Sequence, residues 1–244
     1  MDILFSGKRA IVTGAGRGIG RDLVKRLHKH GAHVIAISRN NDHLITLANE
    51  CPGIETISVD LQDWDKTKEV LMKLDPVDLL VNNAAVGQLC PIGEVTKEEV
   101  EFTMKVNVHS VINVTQEVAK KMKASGKKGS IVNVSSQAGI VALQDHVVYC
   151  ASKGAVDQIT RVSALELGPH GIRVNSVNPT VVWTDMGKAG WSDPAKAGPM
   201  LEKIPLKKFA QVSDVVDTIC YLLSDKADML NGVILPIDGG FTAT

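Results

Sequence analysis

No stretch of this chain reaches the roughly 18 apolar residues that a helix needs to cross a bilayer, so nothing in it reads as a membrane span. Met1 to Gly7 carries an early acid, Asp2, and no extended apolar core, so a signal peptide is not expected either. Charge of one sign is also missing: 27 Lys and Arg stand against 27 Asp and Glu. Phosphate neutralisation normally needs a basic excess, so general nucleic-acid binding is not expected. Cysteine is scarce. Cys51, Cys90, Cys150 and Cys220 lie far apart with no CxxC pair and no His at ligand spacing, which excludes a zinc module or a disulfide framework. No metal site is expected, and a reducing, cytoplasmic compartment is the default. Linkers, repeats and low-complexity tracts are absent, so residues 1–244 read as one domain.

What is there is alternation. Short β-branched runs take turns with longer amphipathic stretches along the whole chain, the pattern of βαβ units. It predicts an α/β, doubly wound Rossmann fold with a parallel seven-stranded sheet. Strands are expected at Arg9–Thr13, Ala32–Ser38, Ile54–Val59, Leu79–Asn82, Ser130–Val134, Arg173–Val177 and Val233–Pro236. Helices are expected near Ile19–His30, Asp42–Glu50, Trp64–Leu74, Lys97–Ser125, Val147–Leu167 and Ser213–Leu223. Thr96-Lys97-Glu98-Glu99 fits a capping box, and Gly31 and Gly168 stand where left-handed helix stops are expected. Gly187, Gly190, Pro194, Gly198 and Pro199 break up the segment near 180–203, which reads as a substrate loop with short helical pieces.

Thr13-Gly14-Ala15-Gly16-Arg17-Gly18-Ile19-Gly20 follows the first apolar strand and opens a helix. Glycines there let the backbone approach a pyrophosphate, whose charge the helix N-terminus favours. At the end of the second strand an NAD site usually places an acid, but this chain reads Ile37-Ser38-Arg39. Arg39, Ser38 and Arg17 can all donate to a 2′-phosphate, which a carboxylate would repel, so the cofactor is read as NADPH.

Ser136 lies at the carboxyl end of the strand Ile131-Val132-Asn133-Val134, where open α/β sheets bind ligands. Tyr149 and Lys153 are four apart, on one face of a helix. A nearby ammonium is expected to lower a phenol pKa that is ordinarily about 10, making Tyr149 a proton donor or acceptor near neutrality. With these residues in view, the chain resembles a short-chain dehydrogenase/reductase over essentially its whole length. Thr13 to Gly20 is similar to that family's glycine motif, Asp60-Leu61 to its adenine-contacting acid, and Asn82-Asn83-Ala84-Ala85 to its NNAG element. Asn107, Ser136, Tyr149 and Lys153 match its catalytic tetrad, and Pro179-Thr180 with Val182 and Thr184 matches the segment that holds the nicotinamide carboxamide. Ala85 and Thr180 stand where the family commonly has Gly.

The resemblance implies an NADPH-binding set of Gly14, Arg17, Gly18, Ile19, Gly20, Ser38, Arg39, Asp60, Leu61, Asn83, Ala84, Tyr149, Lys153, Pro179, Val182 and Thr184. It also implies hydride transfer from NADPH to a carbonyl carbon, with Tyr149 protonating the oxygen and Ser136 holding it. Lys153 would bind the nicotinamide ribose, and Asn107 a water linked to Lys153. The runs Glu50 to Glu55, Pro76 to Ala85 and Asn178 to Val182 are similar to the branch of the family that reduces L-xylulose to xylitol and α-dicarbonyls such as diacetyl, as a homotetramer. Ser136, Gln137, His146, Tyr149 and Trp191 are the candidate substrate residues, since polar side chains beside the tetrad suit a small polar carbonyl compound. A reductase of 3-oxoacyl thioesters would use the same tetrad, and a non-catalytic NADPH-binding module could keep the fold without needing an activated phenol.

Overall fold

The computed structural model describes residues 3–243; Met1, Asp2 and Thr244 lie outside the described residues, and with them part of the stretch on which the signal-peptide reading rests. Seven strands form one parallel sheet in the order β3-β2-β1-β4-β5-β6-β7. They are β1 Arg9–Thr13, β2 His33–Ser38, β3 Glu55–Ser58, β4 Leu79–Asn82, β5 Gly129–Val134, β6 Ile172–Pro179 and β7 Ile234–Ile237. The helices are α1 Gly18–Lys29, α2 Asn41–Glu50, α3 Trp64–Lys73, α4 Lys97–Met104, α5 Ser110–Ser125, α6 Val147–Leu167, α7 Asp185–Trp191, α8 Pro194–Lys203 and α9 Val212–Leu223.

Side chains alternate across a strand, and the core divides accordingly. Ala10, Val12, Val34 and Ala36 face a layer that contains Leu23 and Leu27 of α1, Leu44 and Leu47 of α2, and Val215 and Ile219 of α9. Ile11, Ile35, Ile37 and Leu80 face the opposite layer, with Leu71 of α3, Val114, Val118 and Met122 of α5, and Ala164 and Leu167 of α6. Each fully buried side chain of this size contributes about 1.5–3 kcal/mol. Strand order reverses between β1 and β4, so the loops after these two strands diverge and leave a crevice at the carboxyl edge.

Three expectations need correction. The helix read over Lys97–Ser125 is interrupted by a π-helical turn at Lys105–His109, which carries Asn107; such widened turns give no sequence signal and recur at functional sites. Gly168 is right-handed, at φ −53°, and opens a short 3₁₀ turn, so the left-handed stop falls to Gly171 at φ +71°. The segment after β6 is more regular than its glycines and prolines suggest. Thr184 and Asp193 cap α7 and α8 by accepting from Gly187 N and Ala195 N, and Pro199 is held inside α8. The capping box at Thr96 and Glu99 forms as expected.

Candidate active site

The loop after β1 and the start of α1 make a cradle against the loop after β4. Gly14 has φ +63°, and a Cβ there would stand 2.8 Å from Ala84 Cα, so only glycine lets these loops meet. Asn83 ties them together: its Nδ2 donates to the carbonyls of Thr13 at 3.0 Å and Gly14 at 3.2 Å. The backbone N–H groups of Asn83 and Ala84 donate to Thr13 Oγ1. Arg17 is the N-cap of α1, with no side-chain cap bond and no acid in the first turn, so the N–H groups of Gly18, Ile19 and Gly20 remain available to an anion. Thr184 reaches the same place, its methyl lying 3.4 Å from where a Gly18 Cβ would be.

Beyond this cradle, half-buried Ser38 ends β2 and exposed Arg39 follows it, with Arg39 Nη1 3.7 Å from Asp60 Oδ2. At the far end, Thr180 Oγ1 is buried beside Pro179 without a hydrogen-bond partner. An open phosphate cradle, an arginine beside an adenine-side acid, and an orphaned hydroxyl where a carboxamide is expected fit a bound NADP-type dinucleotide.

The reactive cluster lies over the ends of β5 and β6. Ser136 leaves β5 in extended conformation and accepts from Ala138 N, and its hydroxyl stands beside that of Tyr149, where it favours the phenolate. Lys153, one turn along α6, is buried and donates from Nζ to the Val134 carbonyl at 2.9 Å; its Nζ is 5.6 Å from the Tyr149 ring centre. The ammonium has three donors, so two remain for a ligand. Burial pulls Lys153 down to about 8, against the upward pull of Asp157. Tyr149 departs from the expectation: burial holds its phenol above the ordinary value, the Ser136 bond opposes that, and Lys153 does not bring it down. Lys153 has already lost its proton where this phenol titrates, so no ammonium opposes the desolvation of the phenolate.

Asn107 lies in the π turn with its side-chain amide fully engaged. Its Oδ1 accepts from Val86 N at 2.8 Å, and its Nδ2 donates to the Val86 carbonyl and to Ser152 Oγ. The side chain therefore fixes the loop after β4 against α6. That loop passes Tyr149, and a Cβ on Gly87 would stand 3.6 Å from its ring.

The expected substrate residues are only partly brought together. Gln137 is buried in the turn after Ser136, and both polar atoms of its amide lack partners. His146 caps α6 with its ring centre 6.2 Å from that of Tyr149, and its Nδ1 bonds the Gln144 carbonyl. Trp191 instead packs edge-on against Phe209, centroids 6.3 Å apart, while Trp183 stacks on the same ring at 5.8 Å. Asp157, Asn178 and Ser135, which surround this cluster, went unread in the sequence, although Asp157 continues the i, i+4 face of Tyr149 and Lys153.

Comparison with known proteins agrees with this geometry. Residues 8–195 match the family model described as short chain dehydrogenase. The L-xylulose reductase of Bos taurus is 57% identical over 244 residues, covering all of both chains. Carbonyl reductase (NADPH) 2 of Sus scrofa is 50% identical, again over the full length of both. Among solved structures, an NAD(P)-dependent gluconate 5-dehydrogenase assigned in Beutenbergia cavernae, with NADP bound, superposes with TM-score 0.94 at 32% identity and 99% coverage of each chain. A family match over most of the chain and full-length relatives above half identity lead to one conclusion: this chain belongs to the short-chain dehydrogenase family and is an oxidoreductase.

Proposed function

We propose that the chain is an NADPH-dependent reductase of small polar carbonyl compounds, turning L-xylulose into xylitol and also reducing α-dicarbonyls such as diacetyl. The observation that carries this reading is the Ser136–Tyr149 hydroxyl pair beside the buried Lys153, at the nicotinamide end of a dinucleotide cradle. The names of the bovine and porcine relatives support the substrate class and the cofactor. Unpartnered Gln137, with His146 nearby, supports a polar substrate, because buried amides need partners.

Bound NADPH supplies the hydride for the carbonyl carbon. The chain supplies the rest. Tyr149 gives its proton to the carbonyl oxygen, and a phenol held above its ordinary pKa is in the protonated form that this step requires. Ser136 donates to the same oxygen and fixes its position. The Lys153 charge stabilises the phenolate left behind, and its remaining N–H donors would hold the nicotinamide ribose. Arg17, Ser38 and Arg39 hold the 2′-phosphate, Asp60-Leu61 the adenine, Asn83-Ala84 the backbone near the ribose, and Pro179, Val182 and Thr184 the carboxamide. The helices α7 and α8 form the substrate loop.

NADPH oxidation measured with L-xylulose, diacetyl, a 3-oxoacyl thioester and a steroid ketone tests this. The first two should exceed the others in kcat/KM by about tenfold or more. Preference for the thioester would replace the substrate assignment with the acyl-chain reading.

We also propose a cytoplasmic homotetramer. Four free thiols support the compartment, and no helix among the described residues is long and apolar enough to cross a membrane. Val100 on α4, Ile112 on α5 and Val162 and Leu165 on α6 are exposed, Leu165 by 77%, which supports contacts between subunits through these helices. Light scattering at micromolar concentration should give a four-chain mass; a monomer would contradict the assembly.

A further inference from the structure

One buried titratable group in this region has no part in the scheme above. Asp157 is 3% exposed and lies on α6 four residues beyond Lys153 and eight beyond Tyr149, so all three share a face. A carboxylate buried this far is costly unless it is held. Both of its oxygens accept from Asn178 Nδ2, at 3.0 and 2.9 Å, and Ser176 Oγ lies 3.5 Å from Oδ1. The same Nδ2 donates to the Ser136 carbonyl at 2.9 Å, and Asn178 Oδ1 accepts from Ser176 Oγ at 2.7 Å. The turn after Ser136 rests on the carboxylate: a Cβ on Gly139 would stand 2.6 Å from Asp157 Oδ2. Three elements therefore meet at one side chain, namely α6 with Lys153, the end of β5 with Ser136, and the end of β6 just before Pro179.

We propose that Asp157 is a positioning residue for the reaction, fixing the Ser136 turn against α6 through Asn178 and setting a carboxylate one helical turn from Lys153. The proposal rests on the roles given above to Ser136 and Lys153. Burial raises the Asp157 carboxyl, while Ser135, Asn178, Arg161 and Lys153 act to keep it ionised. Charged groups also lie on α4, the π turn, α5, the 3₁₀ turn after α6 and β6, all packed against α6, but none of them acts on Lys153, whose titration is set by burial and by Asp157.

Asp157→Asn keeps the size and removes the charge. Two readouts are needed, one of them independent of turnover. In the cofactor-free full chain, NMR titration of the Lys153 ammonium should have its midpoint at about 8 in the parent and lower in the variant. In NADPH-dependent reduction of diacetyl, the loss of kcat with rising pH should begin about one unit lower in the variant, with kcat itself reduced about tenfold. Asp157→Glu, which keeps the charge but displaces it, should lower kcat while leaving that limb in place. If Asp157→Asn does not fold, Asn178→Ser severs the tether alone and should reduce kcat with the limb unmoved. An unshifted Lys153 midpoint in folded Asp157→Asn, or parental kcat in Asn178→Ser, would overturn the proposal. Parental activity on the carbonyl panel reports separately on the reading beneath it.

Discussion

Tyr149→Phe should lower kcat for carbonyl reduction by about 10²–10⁴-fold while NADPH binding stays near the parental value. The substitution removes one hydroxyl and keeps the ring that packs under Gly87 and beside His146. Ser136 loses its partner but keeps the bond from Ala138 N, and Lys153 keeps the Val134 carbonyl, so the scaffold around the missing proton donor stays tied. Single-turnover kinetics with bound NADPH separates the steps. Near-normal turnover would assign the proton to another group. The pH dependence of the parent follows from Lys153. Its folded pKa is depressed to about 8, so the ammonium is complete below that value and is lost as pH rises through it. Reduction should therefore decline above about pH 8, with a protonated Tyr149 still present because burial holds the phenol up.

Most of the framework was legible because periodicity and punctuation act locally. Arg9–Thr13 and Leu79–Asn82 are bounded by the residues that the β-branched runs suggest, and Val147–Leu167 forms as read. The residues of the cradle were legible for the same reason, since glycine at Gly14 answers to a backbone conformation. The electrostatics were not. The i, i+4 spacing brings Tyr149 and Lys153 to one face, but burial, which depends on every element packed around them, decides which way each titrates. The spacing likewise could not say that Asn107 would lie in a π turn with its amide committed to Val86 and Ser152, a bond set by a loop 21 residues away. Trp191 faces Phe209 because α7 and α8 form a small core of their own with Met200 and Ile204, a packing that glycine and proline content concealed.

Arg39→Asp should turn the cofactor preference from NADPH toward NADH. Arg39 lies at the carboxyl end of β2 with its side chain 68% exposed, and its one ion pair, to Asp60, is long and open to solvent. Such a pair is worth only about 0–1 kcal/mol, so the guanidinium can turn to a 2′-phosphate at little cost. A hydrogen bond to a charged group contributes about 1.5–3 kcal/mol, and about 1.4 kcal/mol is a factor of ten in affinity. Loss of Arg39 alone should then weaken NADPH by about 10–100-fold, and the new carboxylate adds repulsion toward the phosphate. For NADH the sign is reversed, because a carboxylate at this place accepts from a free ribose 2′-hydroxyl. Asp60 also meets a like charge in the variant, but both groups are exposed, so the melting temperature should change little. The quantity to measure is the ratio of kcat/KM for NADPH to that for NADH, in parent and variant at one ionic strength, since screening weakens both the attraction and the repulsion. A parent that uses NADH as readily as NADPH, or a ratio that Arg39→Asp leaves unchanged, would remove Arg39 from the phosphate site and leave Ser38 and Arg17 to account for the preference.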